Sequence, residues 1–316
     1  MKQNENYLHQ WEKHFTRNRQ FLLSFAFRMT GSLAEAEDLI QDTFINCAEV
    51  NPDEVSNHKS WLTKVCSNKS LDHLKSAYKR RESYRGTWLP DAVPDRFQFW
   101  GNLEDTEQPD EPILRSETLT TTFLLLIEKL SPEERVVYLL SEIFEYSYKE
   151  ISDFLSKTVE ACRKIAQRAR KAVDDGKVKY DSQTEGAKEL IKQFYEAAKV
   201  GDHDGLMSIL SKESEFWSDG GGKVSATLVI FKEDTRIARF YSSPGIIGAF
   251  NNPQYRTELT MVNGLPGLII SRMESPGDWV FDSIFSFETK DNKILRIYNQ
   301  RNPDKFRALT ERPWNN

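Results

Sequence analysis

The chain has 316 residues, 43 of them basic and 48 acidic, for a net charge of −5. That length predicts two or three domains with ample apolar material for cores. The acidic balance excludes a protein that coats nucleic acid non-specifically, so any such contact must be local. The cysteines, Cys47, Cys66 and Cys162, are odd in number, far apart and without metal-ligand spacing. Buried free thiols in a reducing cytosol are expected, with no metal site. The N-terminus has no signal-type apolar run, and no window approaches the roughly 18 apolar residues of a span, which predicts a cytoplasmic protein without a membrane partner.

Residues 1–86 are predicted helical. Phe21, Leu22, Phe25 and Met29 form a helical stripe, and Ser32-Leu-Ala-Glu35 has the form of a capping box opening the next helix. That helix carries Ala36, Leu39, Ile40, Phe44 and Ile45 on one side and Glu35, Glu37, Asp38, Gln41 and Asp42 on the other. A third helix begins near Lys59, after a loop from Asn51 to His58, with Trp61, Leu62, Val65, Leu71 and Leu74 inward and a basic far end that includes Lys75, Lys79, Arg80 and Arg81. One face of this domain is acidic and another basic.

Residues 87–112 have no periodicity and hold Pro90, Pro94, Pro109 and Pro112 among many acidic residues, which predicts an extended linker. Its aromatics, Trp88, Phe97, Phe99 and Trp100, suggest docking onto a surface. Residues 113–177 return to helical pattern, with start signals at Ser131-Pro132-Glu133-Glu134 and Ser147-Tyr-Lys-Glu150. From Ser147 to Arg170 the pattern is a helix-turn-helix. Ile151, Phe154 and Leu155 mark the inner face of its first helix; Cys162, Ile165, Ala166, Ala169 and Val173 mark that of the second, which Thr158 can cap. The other face of the second helix presents Arg163, Lys164, Gln167, Arg168 and Lys171, donors suited to guanine edges and phosphates in a major groove.

A polar link over 178–186 leads to residues 187–316. Helices are predicted around Leu190–Ala198 and Leu206–Leu210, followed by strands at Val224–Phe231, Thr257–Val262, Gly267–Met273, Trp279–Phe287 and Ile294–Gln300, with hairpin turns at Asn263-Gly264 and Asp291-Asn292. Helices followed by an antiparallel sheet predict an α+β domain, a curved sheet wrapped over helices with a pocket in its mouth. Trp217, Asp219, Tyr241, Asp282 and Tyr298 are candidates to line that pocket, while the isolated His203 is a poor metal ligand.

The run Ala36-Glu37-Asp38-Leu39-Ile40-Gln41-Asp42-Thr43-Phe44 resembles the signature by which bacterial extracytoplasmic-function sigma factors dock on the polymerase clamp helices. Trp61-Leu62, Asn68, Asp72, Leu74 and Lys75 resemble that family's −10 reading helix, and the helix-turn-helix its −35 reader. Three further marks, Trp88-Leu89-Pro90-Asp91, Asp219-Gly220-Gly221-Gly222-Lys223 and Asn302-Pro303-Asp304-Lys305, resemble those of the sub-group carrying a fused SnoaL-like domain of the nuclear-transport-factor-2 type; Asp91 stands where glutamate is common. The resemblance implies two all-α sigma domains and a C-terminal α+β cone. Glu37, Asp38, Gln41 and Asp42 would bind core RNA polymerase. Trp61, Asn68, Asp72, Lys75, Lys79 and Arg80 would bind the −10 element, and the helix-turn-helix face the −35 element of promoter DNA. The three marks, from Trp88 through Lys305, would regulate the protein from within, the C-terminal segments resting on the N-terminal domain and touching the linker. No cofactor and no catalytic residue are implied, and the third domain has room for an unidentified small-molecule ligand. Two other readings stay open: a ligand-responsive helix-turn-helix regulator, and a SnoaL-type isomerase or cyclase with a helical arm.

Overall fold

The computed structural model describes residues 2–81, 84–97, 119–176 and 185–310. The linker features beyond Phe97, including Phe99, Trp100, Pro109 and Pro112, lie outside the described residues, as do the side chains of Lys79 and Arg80. The described residues form two compact units: those of 1–83 and 98–177 in one, those of 84–97 and 178–316 in the other. No helix among them is long and apolar enough to cross a membrane.

The first unit contains seven α-helices among the described residues. Helix α1 spans Lys2–Thr30 and buries Phe21, Leu22, Phe25 and Met29 completely or nearly so. It ends where Gly31 turns left-handed (φ 68°) and donates its N–H to the Phe27 carbonyl, a backbone state open to glycine at no steric cost. Ser32 then caps α2, Leu33–Asn46. Glu35 lies 3.2 Å from His73 on α3, His58–Arg81. The second lobe has α4 Thr121–Glu128, α5 Pro132–Tyr138, a π turn over Leu139–Ile143, α6 Tyr148–Leu155 and α7 Val159–Gly176. Complete capping boxes fix the starts of α5 at Ser131/Glu134 and of α6 at Ser147/Glu150, each cap contributing about 1 kcal/mol. Ser156 takes the left-handed conformation (φ 52°) that ends α6, and Thr158 Oγ1 accepts from the Ala161 N–H to open α7, completing the helix-turn-helix.

The second unit opens with α8 Glu185–Val200 and α9 His203–Ile209. Strand β1, Leu210–Asp219, follows directly, where the sequence pattern had indicated only helix at its start. Its inward residues, Ser214, Phe216 and Ser218, alternate polar with aromatic and so conceal a strand. Val224–Phe231 is not a strand: Leu228 and Val229 are exposed, Arg301 donates to the Ser225 carbonyl, and only Phe231–Lys232 pairs, as β2, with β1. Two further short helices, α10 Asp234–Tyr241 and α11 Pro244–Asn251, precede β3 Tyr255–Val262, β4 Leu265–Ser275, β5 Asp278–Lys290 and β6 Lys293–Gln300; α12, Pro303–Thr310, closes the unit. The sheet order is β2-β1-β6-β5-β4-β3. It is antiparallel except for β1 and β6, which run parallel, a pairing that the long excursion between them permits. Both predicted hairpin turns form, with positive φ at Asn263, Gly264, Asp291 and Asn292, the primed geometry that matches strand twist. Leu190, Ile191 and Phe194 of α8 and Ile237 and Tyr241 of α10 pack on Phe216, Leu268, Phe287 and Ile297 of the sheet to make the core.

Candidate functional site

Helix α2 divides its acids unequally. Asp38, Gln41 and Asp42 are exposed, and Ile45 beside them is 63% exposed rather than inward. These four recur at steps of three, four and seven, so they share one helical face. Glu37, expected on the same acidic surface, is buried and paired with Arg19 at 2.8 Å. The reason is position: Glu37 falls in the inward row Leu33, Ala36, Glu37, Ile40.

Helix α3 presents its expected residues in two states. Asp72 and Lys75 are exposed and 3.5 Å apart. Trp61 is half-buried and stacked on Trp11 with ring centroids 4.7 Å apart. Asn68 donates to the Phe154 carbonyl of α6 at 3.1 Å, and Thr63 lies 2.9 Å from the Tyr146 hydroxyl. Phe144 packs edge-on to Phe21 and Phe25 of α1, and Arg135 of α5 donates to the Met29 carbonyl. The two lobes of this unit are therefore packed together, with one side of α3 facing α6. Helix α7, by contrast, exposes Arg163, Lys164, Gln167, Arg168 and Lys171 together. Arg168 pairs with Glu134 at 3.2 Å and Arg163 lies over the Tyr148 ring, both exposed contacts that a phosphate or base could replace at little cost. The three cysteines are free and buried, and burial pushes the Cys47 and Cys66 thiols up to about 12.

The three sequence marks shared by the second unit meet at one carboxylate. Asp219, fully buried at the end of β1, accepts hydrogen bonds from the Tyr84 hydroxyl (2.6 Å), the Leu89 N–H (3.0 Å) and the Gly221 N–H (2.9 Å). Lys305 Nζ of α12 donates to it at 2.9 Å. The same ammonium donates to the Leu89 carbonyl, stands 3.7 Å from Asp91 and lies 4.6 Å over the Trp88 ring. Asn302 donates to the Tyr84 hydroxyl at 2.9 Å, and Asp304 pairs with Lys223. Burial and the neighbouring Asp219 carboxylate raise the Tyr84 phenol above its ordinary range, so it stays a donor. Gly221 (φ 61°) and Gly222 (φ 69°) permit this approach: a Cβ at Gly221 would stand 2.3 Å from Asn302 Nδ2, and one at Gly222 2.9 Å from Arg85 Cβ. Gly220 completes the turn, accepting the Lys223 N–H at 3.0 Å. Pro90 is buried with Leu89, and Pro303 begins α12.

Asn263, which the sequence marks only as a turn residue, adds a second hold on the segment. Its side chain accepts the Val93 N–H at 3.0 Å and donates to the Asp91 carbonyl at 3.0 Å, while its own N–H bonds the Val93 carbonyl. Residues 84–97 are thus strapped onto the α+β fold. Within this unit, Asp219 bonds the strap at Tyr84 and Leu89, and Asn302 bonds it at Tyr84.

Opposite the strap, the sheet and helices enclose a cavity of about 350 Å³. Of the five residues expected to line it, Tyr241 and Asp282 do; Trp217, Asp219 and Tyr298 do not. The strands alternate faces, so Phe216 and Ser218 face the cavity while Trp217 and Asp219 face away, and Asn299 faces it while Tyr298 does not. Asp282 is paired with Arg301 at 3.1 Å and accepts from Ser283 at 2.8 Å. Among the described residues no group of His, Cys, Asp and Glu is arranged to hold a metal ion.

Residues 14–80 match the sigma-70 region 2 family and residues 121–173 the sigma-70 region 4 family. The chain is similar to the ECF RNA polymerase sigma factor SigJ of Mycobacterium tuberculosis, with 31% identity over 297 residues covering 91% of this chain and 90% of that protein. It is also similar to the probable ECF RNA polymerase sigma factor SigI of the same organism, 29% identical over 203 residues, or 63% and 65% of the two chains. A crystal structure of the M. tuberculosis SigJ superposes with a TM-score of 0.69 at 27% identity, covering 94% of this chain and 98% of that one.

Proposed function

Since the chain belongs to the extracytoplasmic-function RNA polymerase sigma factors, we propose that it carries core polymerase to promoters through three separate surfaces and restrains itself through the strap. Asp38, Gln41 and Asp42, with Ile45 among them, form the face for the polymerase clamp helices: acids give steering and register, and the exposed isoleucine gives an apolar anchor. Asp72, Lys75 and the basic end of α3 follow the −10 strand. Arg163, Lys164, Gln167, Arg168 and Lys171 of α7 read and hold the −35 element. Both DNA surfaces act in the cytoplasm, where core polymerase and promoter are found together.

The packed lobes of the first unit are the resting form in this reading. Asn68 cannot meet DNA while its amide is bonded to Phe154, so polymerase binding must separate the lobes. The C-terminal domain acts as regulator rather than enzyme: Asp282, the carboxylate lining its cavity among the described residues, is already held by Arg301. The observation that carries the regulatory part is the Asp219–Lys305 clasp on Leu89, because it ties up the very segment that joins the two promoter-reading lobes.

The test is transcription with purified core enzyme on a promoter that core alone cannot use. The wild-type chain should initiate and Arg163→Ala should relax the −35 preference, a bidentate contact being worth about 1–3 kcal/mol of discrimination. Lys305→Ala frees the strap and leaves Phe306 in the core; initiation should rise by roughly 5-fold or more, the range of coupled sites. No initiation by any form rejects the sigma reading. Equal activity of Lys305→Ala and wild type, at matched folded concentration, rejects only the clasp as regulator.

A further inference from the structure

The cavity and the strap share two strands. Ser218 of β1 and Asn299 of β6 line the cavity, as does Arg301 just beyond β6, whereas the intervening Asp219, Gln300 and Asn302 enter the clasp. The Arg301 N–H donates to the Asp219 carbonyl at 2.7 Å, so the two sites are joined by one backbone hydrogen bond.

The cavity wall is largely apolar in area and partly aromatic, with Phe240, Phe250 and Phe285 among its residues. On it, Tyr241 Oη, Asn299 Oδ1, Thr227 Oγ1 and Arg301 Nε are buried without a hydrogen-bond partner among the described residues. Native interiors leave few such atoms unpaired, so a cluster of four around one space points to something that pairs them. Their chemistry is mixed: donors from Arg301 and Tyr241, an acceptor from Asn299. Burial pushes the Tyr241 phenol well above its ordinary range, so it offers a neutral hydroxyl. Among the described residues, the ionic groups lining the space are Asp282 and Arg301, which neutralise each other.

We infer that this cavity binds a small uncharged molecule of about two fused rings, carrying a hydroxyl or carbonyl that meets Tyr241, Asn299 and Arg301, and that its occupancy is passed through β1 and β6 to the strap. A space of this size lies in the ordinary range of ligand sites, and its apolar wall with few convergent polar groups has their usual composition. The binding half stands without the sigma reading; the transmission half rests on the strap's regulatory role.

The full chain is titrated by calorimetry with 2-naphthol, 2-naphthoate and 2-naphthylmethylammonium, three probes with the same ring and substitution position and different charge. One saturable site for 2-naphthol is expected, with each charged probe at least about tenfold weaker, since neither brings a counter-charge to a neutral apolar site. Tyr241→Phe should weaken 2-naphthol by roughly two- to tenfold, the worth of one hydrogen bond. Ala249→Trp, at the exposed rim where folding is little affected, should block it. No saturable binding, equal binding of all three probes, or unchanged binding in Ala249→Trp overturns the site and leaves a water-filled cavity. With 2-naphthol bound, amide exchange at Leu89 should change by at least about threefold, which is the sign of an altered clasp. Unchanged exchange at saturation overturns the transmission, independently of the transcription result for Lys305→Ala.

Discussion

Two segments of this molecule are held down, and they are held differently. In the first unit, α3 is kept against α6 and the turn before it by neutral hydrogen bonds from Asn68 and Thr63, while Phe21 of α1 packs edge-on to Phe144. In the second, the strap is kept by a fully buried carboxylate and a nearly buried ammonium. Neutral contacts of the first kind are individually small and can be exchanged for water or DNA. A buried ion pair is different. Its net worth is modest while intact, but removing one partner strands the other charge. On the proposed function, the first contact would open on every initiation and the second only when something specific intervenes.

Breaking the strap should give the largest effect. Asp219→Ala leaves Lys305 buried without its main counter-charge, and should cost the second unit about 3–5 kcal/mol in urea unfolding. A loss below about 1 kcal/mol would mean that water already screens the pair. Next comes Asn263→Ala, which orphans the buried Val93 N–H and should cost about 1–3 kcal/mol while raising protease cleavage between Tyr84 and Phe97. On the other side of the comparison, Asn68→Ala should cost the first unit only about 0.5–1.5 kcal/mol. If Asn68→Ala proves as costly as Asp219→Ala, the distinction between the two holds is lost. The smallest effect on stability belongs to Asp38→Arg with Asp42→Arg, within about 0.5 kcal/mol because both are exposed. That variant should nonetheless lose affinity for core polymerase in a pull-down, so it separates folding from docking.

What the sequence made legible was whatever repeats locally. The inner face of α7, from Cys162 to Val173, follows from its spacing alone, and so do the capping boxes at Ser131 and Ser147. Asn263-Gly264 and Asp291-Asn292 named their turns because few residues accept positive φ. Glu37 lies inward, against its charge, because its angle puts it in the row Leu33, Ala36, Glu37, Ile40. Ile45 lies outward, against its apolarity, for the mirror-image reason. The parallel pairing of β1 with β6 and the meeting of Asp219 with Leu89 and Lys305 join residues 80 to more than 200 positions apart. No local period records such contacts; motif resemblance marked the three participants, Asp219 among them, but not that its carboxylate joins them, nor the role of Tyr84 and Asn263.

The strap also has a history within each round of synthesis. Leu89 leaves the ribosome 216 residues before Lys305. At about 5–20 residues per second, roughly 10–40 s pass before the residue that grips it exists. Until the second unit is complete, Leu89, Ala92 and Val93, all buried in the finished protein, lack the full surface that covers them. A nascent chain arrested before α12 would therefore present this apolar stretch beside already folded sigma helices, and it is the place to look for chaperone binding or for aggregation of truncated products.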